Sequence, residues 1–170
     1  MADWTVLFAH MVAAKQRLAA SDRDGVWRHG APRLPATSEG IDRVTAVTGC
    51  PLDADHADFL RRADGWPAIL QDIDLFGTAE FGTTAYVEAE ELVRVIEGEI
   101  DIRRGGSSRL IPIGASRTDV DILVMPCGSG SRESAPVIWL AGGEVERYGS
   151  FPDFFRGMIE HNLAEANALD

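Results

Sequence analysis

Residues 41–77, IDRVTAVTGCPLDADHADFLRRADGWPAILQDIDLFG, decide the fold, because two short helices, a turn and a strand follow one another there without a linker. Ile41, Val44 and Val47 recur at helical spacing, Gly49 stands where that helix would stop, and Pro51 prevents its continuation. Leu52, Ala57, Phe59, Leu60 and Ala63 restart an apolar face, with Asp53 placed to cap the second helix. Asp64-Gly65 then turns the chain, and Ile69, Ile73, Leu75 and Phe76 read as one strand entering a sheet. Nothing in this run carries catalytic chemistry. Its information is the order of its parts.

Before this stretch, Trp4, Leu7, Phe8, Met11, Val12 and Leu18 predict an amphipathic helix from Asp3, its N-cap, to about Ala20, packed on the domain's own core. Residues 21–35 carry Gly25, Gly30, Pro32 and Pro35 and read as a loop pinned by Trp27. Asp22-Arg23-Asp24-Gly25 opens like a calcium loop, but the later ligands and the closing Glu are missing, so no calcium site is expected. Ser38 is the expected cap of the helix at Ile41.

After it, Phe81 and Tyr86 anchor a turn-rich segment, and Val87 to Glu97 forms a helix with Leu92, Val93 and Ile96 inward. From Glu88 to Asp101 six acidic residues stand against one basic, so this is the densest acidic block available to a basic partner. A Gly/Ser turn at Arg103 to Ser108 leads into strands at Leu110 to Ile113, Val120 to Met125 and Val137 to Leu140. Gly142-Gly143 turns into an edge strand at Val145 to Tyr148. Ser150 caps a last helix whose apolar side holds Phe151, Phe154, Phe155, Met158, Ile159 and Leu163.

These elements predict an α+β domain: an antiparallel or mixed sheet of about five to six strands with helices packed against one face. The near-continuous apolar runs ILVM and VIWL point to central strands covered on both sides. At 170 residues one globular unit is expected, with 1–33 as an N-terminal helix and loop extension and 34–170 as the domain proper.

A net charge of -11 and a pI near 4.7 repel phosphate backbones and anionic lipid, so no direct nucleic-acid or membrane binding is expected. The first residues lack a basic flank before their apolar run, unlike a signal peptide, and the expected location is the cytoplasm. Cys50 and Cys127 are too few and too far apart to suggest a disulfide framework, and read as buried or half-buried thiols.

No G-x-S-x-G elbow, H-E-x-x-H motif or H-x-E with C-x-x-C is present, and His10, His29, His56 and His161 stand singly. No catalytic residue, metal or cofactor is expected. His56 among carboxylates reads as a solvated side chain, since Asp55 and Asp58 are explained by the helix dipole. Two carboxylate pairs remain, Asp72 with Asp74 and Asp119 with Asp121. Read as strand positions two apart, each pair shares a face and projects into one pocket or partner surface.

Residues 34–163 resemble the SMI1/KNR4 family of the SUKH superfamily. The likeness rests on LP-x-x-S-E-G-I-D-x-V-x-x-x-x-G, then P-L-D-A-D-H-A-D-F-L-R-R-A-D-G-W, then D-L-F-G. Pro51-Leu52 stands inverted for the family's Leu-Pro, Phe59-Leu60 matches its apolar pair, and Asp64-Gly65 matches its closing Asn-Gly. Ile111-Pro112-Ile113-Gly114, Asp121-Ile122-Leu123-Val124 and Ser150-Phe151-Pro152-Asp153-Phe154-Phe155 resemble its later strands and final helix, although Arg117, Thr118 and Val120 replace the glycines before the strand Asp. The resemblance implies a non-enzymatic bacterial immunity protein that neutralises a cognate toxin, often a nuclease. On that expectation Asp72, Asp74, Asp119, Asp121, Glu88, Glu90 and Glu91 are contact candidates, with Trp66 as an aromatic anchor. The alternatives are a small-molecule- or peptide-binding regulatory module of the same fold, and a hydrolase using one Asp pair.

Overall fold

The computed structural model describes residues 2–99, 109–128 and 134–170. Asp101, the Gly/Ser turn expected at 103–108 and residues 129–133 lie outside them.

Among the described residues the chain forms α1 (Trp4–Ser21), α2 (Ser38–Thr48), α3 (Ala54–Leu60), β1 (Trp66–Leu70), β2 (Ile73–Leu75), α4 (Thr84–Glu99), β3 (Leu110–Ser116), β4 (Asp121–Pro126), β5 (Val137–Ala141), β6 (Glu144–Tyr148) and α5 (Phe151–Leu169). The six strands pair in chain order, each antiparallel to the next. The fold is therefore α+β with an antiparallel meander.

The helices cover both faces, not one, because the central strands are apolar on both. Alternation sends Leu123, Met125 and Val137 towards a cluster with Trp4, Met11, Phe59, Phe151 and Phe155, from α1, α3 and α5. Ile122, Val124, Ile138 and Leu140 point the other way, to Val44 of α2 and Tyr86, Ala89, Val93 and Ile96 of α4. α1 lies along α5 within the first cluster. The longest helices thus close one face and the acidic α4 the other.

Caps explain where the helices begin. Asp3, Asp53 and Ser150 accept amide bonds at the starts of α1, α3 and α5, and Gly49 ends α2 at φ 67°, a left-handed conformation suited to glycine. The cap of α2 is Thr37, one residue before the expected Ser38. Asp22, at the opening of the dismissed calcium-like run, turns inward instead. Its carboxylate accepts from the Val26 and Trp27 amides at 2.8 and 2.9 Å and meets His29 Nε2 at 2.9 Å, while Trp27 Nε1 donates to Glu165 on α5. The loop is pinned by Trp27, as its sequence predicts.

Three further expectations need correction. The single strand expected over Ile69 to Phe76 is a hairpin, since Gln71 takes φ 50° and reverses the chain between β1 and β2. Cys50 and Cys127 are not thiols but a disulfide with a Cα separation of 5.5 Å across 77 residues; the meander brings the end of β4 under the α2–α3 connection. His56 is 1% exposed and stacks on Phe151 at 4.8 Å, because the first turn of α3 faces α5 rather than solvent.

Candidate functional site

A cleft of about 500 Å³ opens between the first half of α4 and the β2–β3–β4 end of the sheet. Its α4 wall is Ala85, Glu88, Ala89 and Leu92, a set at i, i+3, i+4 and i+7 that lies on one helix face. Its sheet wall follows from register: Asp74 pairs with Ala115 and Ala115 with Ile122, so these three side chains form a row across three strands on the α4 side. Phe76, Ala89, Leu92, Ala115 and Ile122 make an apolar floor. Five carboxylates (Asp74, Glu80, Glu88, Asp119 and Asp121) and two guanidiniums (Arg33 and Arg117) surround it. The cleft is net acidic.

The carboxylates differ in what they already hold. Asp74 accepts the Ala68 amide at 2.7 Å, Arg117 Nε at 2.6 Å and Arg28 Nη1 at 3.0 Å. Burial alone would push its carboxyl up, but that amide and the two guanidiniums outweigh it and hold the group below the ordinary carboxylate value. Glu80 pairs with Arg33 at 2.5 Å, and Asp121 accepts Trp139 Nε1 at 2.6 Å. Among the described residues Asp119 receives only the amide of its neighbour Val120, at 2.8 Å, and Glu88 has no partner. Glu88 and Asp119 are the charges left for something else to meet.

Of the sequence candidates, Asp74, Glu88, Asp119 and Asp121 converge on the cleft. The others do not. Asp72 sits in the β1–β2 turn, where Ser116 Oγ at 2.5 Å, the Thr118 amide at 3.1 Å and the Thr118 hydroxyl all donate to it. Desolvation opposes its ionisation, but the Ser116 and Thr118 donors prevail and its pKa is lowered. It ties the β1–β2 turn to the β3–β4 turn. Neither Asp pair lies on one strand, so the same-face argument fails for both. Glu90 accepts the Tyr86 hydroxyl at 3.2 Å one turn back along α4, and Glu91 is exposed outside the cleft. Trp66 is no surface anchor. It is 1% exposed, packs against Phe8 and Phe155, and donates Nε1 to the Gly30 carbonyl at 3.3 Å.

Sequence reading missed Glu80, Arg33 and Arg117, which reach the cleft from turns and loops without periodicity. It also missed a smaller hollow of about 380 Å³ between β6 and α5. There Glu146 accepts the Tyr148 hydroxyl at 2.6 Å and faces His161 Nε2 at 2.9 Å. The Tyr148 hydroxyl and His161 lower the Glu146 carboxyl, while burial and that same carboxylate raise Tyr148. These groups satisfy one another, and they bind the edge strand to the last helix.

Chemically the main cleft offers five carboxylates, two of them without a cationic partner among the described residues, over an apolar floor. That combination receives cations with aliphatic or planar stems, such as Lys and Arg side chains. No described helix is long and apolar enough to cross a membrane. Among known proteins, no family matches the chain and no curated protein is similar to it.

Proposed function

We propose that this protein is a non-enzymatic immunity protein whose acidic cleft receives basic side chains of a cognate toxin, a nuclease being the best fit. The observation that carries the reading is the pair Glu88 and Asp119, carboxylates without a cationic partner among the described residues, on opposite walls of the cleft. A nuclease is basic where it grips phosphate, and an acidic partner of net charge -11 is steered to that surface and occludes it. The SMI1/KNR4-like motifs of residues 34–163 point the same way. The described lining residues include no His or Cys, and Asp74 is held ionised by its partners, which suits binding better than proton transfer. The cleft's ligand-sized volume also supports a second reading, a regulatory module that binds a small organic cation.

Co-expression with the toxin encoded beside this protein tests the proposal. Cells carrying both survive, and cells carrying Glu88→Lys/Asp119→Lys with the toxin die. Equal killing with and without the wild-type protein, or a gene neighbourhood without a basic toxin, contradicts it. A cytoplasmic site of action belongs to the same proposal, and it places the Cys50–Cys127 pair in a reducing environment.

A further inference from the structure

We propose that the Cys50–Cys127 disulfide is a thiol-exchange site with a built-in direction: an external thiolate enters at Cys127, and Cys50 leaves as a thiolate held by Arg109. The two sulfurs are not equivalent. Cys50 is 5% exposed, set in the second core cluster, whereas Cys127 is only partly buried at its margin. Arg109 Nη2 lies 3.7 Å from Cys50 Sγ and also donates to the Thr48 carbonyl, which holds the guanidinium in place. Arg109 forms no ion pair among the described residues, and its guanidinium, which also acts on the Tyr86 hydroxyl, stands close enough to Cys50 Sγ to stabilise an anion there. A nearby cation lowers a thiol's pKa, and exchange is faster when the leaving thiol has the lower pKa. Access therefore selects Cys127 for attack, and electrostatics selects Cys50 to depart.

The step balances with a dithiol as reductant. Its first thiolate forms a bond to Cys127 Sγ while the Cys127–Cys50 bond breaks, and the electron pair leaves on Cys50. Its second thiolate then displaces Cys127, closing the reductant's own disulfide; two electrons pass to the protein and the protein thiolates take protons from water. The link between the α2–α3 connection and the end of β4 is thereby cut. The Asp53 carboxylate on the Ala135 amide at 2.9 Å and Asp55 with Ser134 Oγ at 2.7 Å remain to hold that junction. The device responds to the redox state of the surroundings while the fold keeps its polar ties.

The test uses the full chain under native conditions, with glutathione as a monothiol probe, followed by acid quenching, alkylation and peptide mass analysis. The expected product carries glutathione on Cys127 and the alkyl label on Cys50. In parallel, the rate of reduction by dithiothreitol is expected to fall roughly tenfold in Arg109→Gln and to stay near wild type in Arg109→Lys, which keeps the cation. Glutathione on Cys50, an even split between the two cysteines, or an Arg109→Gln rate equal to wild type overturns the proposal. The wild-type adduct decides the matter even where a substitution disturbs folding.

Discussion

His56 shows how one buried side chain sets a pH dependence. Burial lowers its pKa from 6.5 to about 4, and its Nε2 has no partner among the described residues. The unfolded chain takes up this proton below the ordinary value while the folded chain resists until about 4, so stability falls as pH drops through that window. The full effect is about 3 kcal/mol, at roughly 1.36 kcal/mol per pKa unit. In His56→Phe, which keeps a ring against Phe151, urea denaturation is expected to show that slope removed between pH 6.5 and 4. Lys15 behaves similarly at the alkaline end. Burial, then repulsion from Arg28, lowers it to about 8, although Nζ bonds the Ala68 carbonyl at 2.5 Å. Lys15 is therefore expected to make stability rise from pH 8 to about 9.5 in the wild type, below the range where tyrosines titrate, and that rise is expected to be lost in Lys15→Met. Asp74 and Asp119 separate structure from surface. Asp74→Asn loses two guanidinium partners and is expected to cost about 1.5–3 kcal/mol in the same denaturation assay, against under about 0.5 for Asp119→Asn.

At the scale of elements, the loop before α2 and the edge strand β1 are built for each other. A Cβ on Gly30 would stand 1.7 Å from the Pro67 carbonyl oxygen, an overlap with backbone that neither segment can relieve by a rotamer change. Gly30→Ala is expected to lower the melting temperature by more than about 5 °C, whereas Gly25→Ala, with open space but φ 65°, costs only its backbone strain. Reducing the disulfide releases a 77-residue closure and is expected to cost about 4 kcal/mol, read from denaturation with and without reductant. The long elements were legible because periodicity and caps agree along them: α1, α2, α3, α5 and the strands β3 to β6 begin and end close to their expected positions. The β1–β2 hairpin was not, because Ala68 and Gln71 adopt φ 50° without being Gly or Asn. Ala68 is held there by tertiary bonds, its amide to Asp74 and its carbonyl to Lys15, which no local pattern announces. The disulfide and the burial of His56 depend on the same kind of long-range packing.

On the whole molecule, a charge of -11 looks like a uniform acidic coat, yet the structure sorts it. Asp22, Asp53, Asp72 and Asp74 are spent on amides, hydroxyls and guanidiniums inside the fold, while Glu88 and Asp119 face an open cleft. The candidate site was legible only in part: the acidic residue types marked Asp74, Glu88, Asp119 and Asp121, but the shape that joins them comes from strand register and the face of α4. Trp66 was named as an aromatic anchor for a partner, but long-range packing against Phe8 and Phe155 in the first core cluster buries it. The central claim is that the cleft, rather than overall charge, binds a basic partner. Titration calorimetry of the neighbouring toxin against two variants of equal net charge tests it most directly. Glu88→Lys/Asp119→Lys is expected to weaken binding by at least about a hundredfold, at roughly 1.4 kcal/mol per tenfold and with two charge pairs lost, while Glu39→Lys/Glu91→Lys, which reverses exposed charges outside the cleft, changes it less than about fivefold. Equal weakening by both variants would contradict the account.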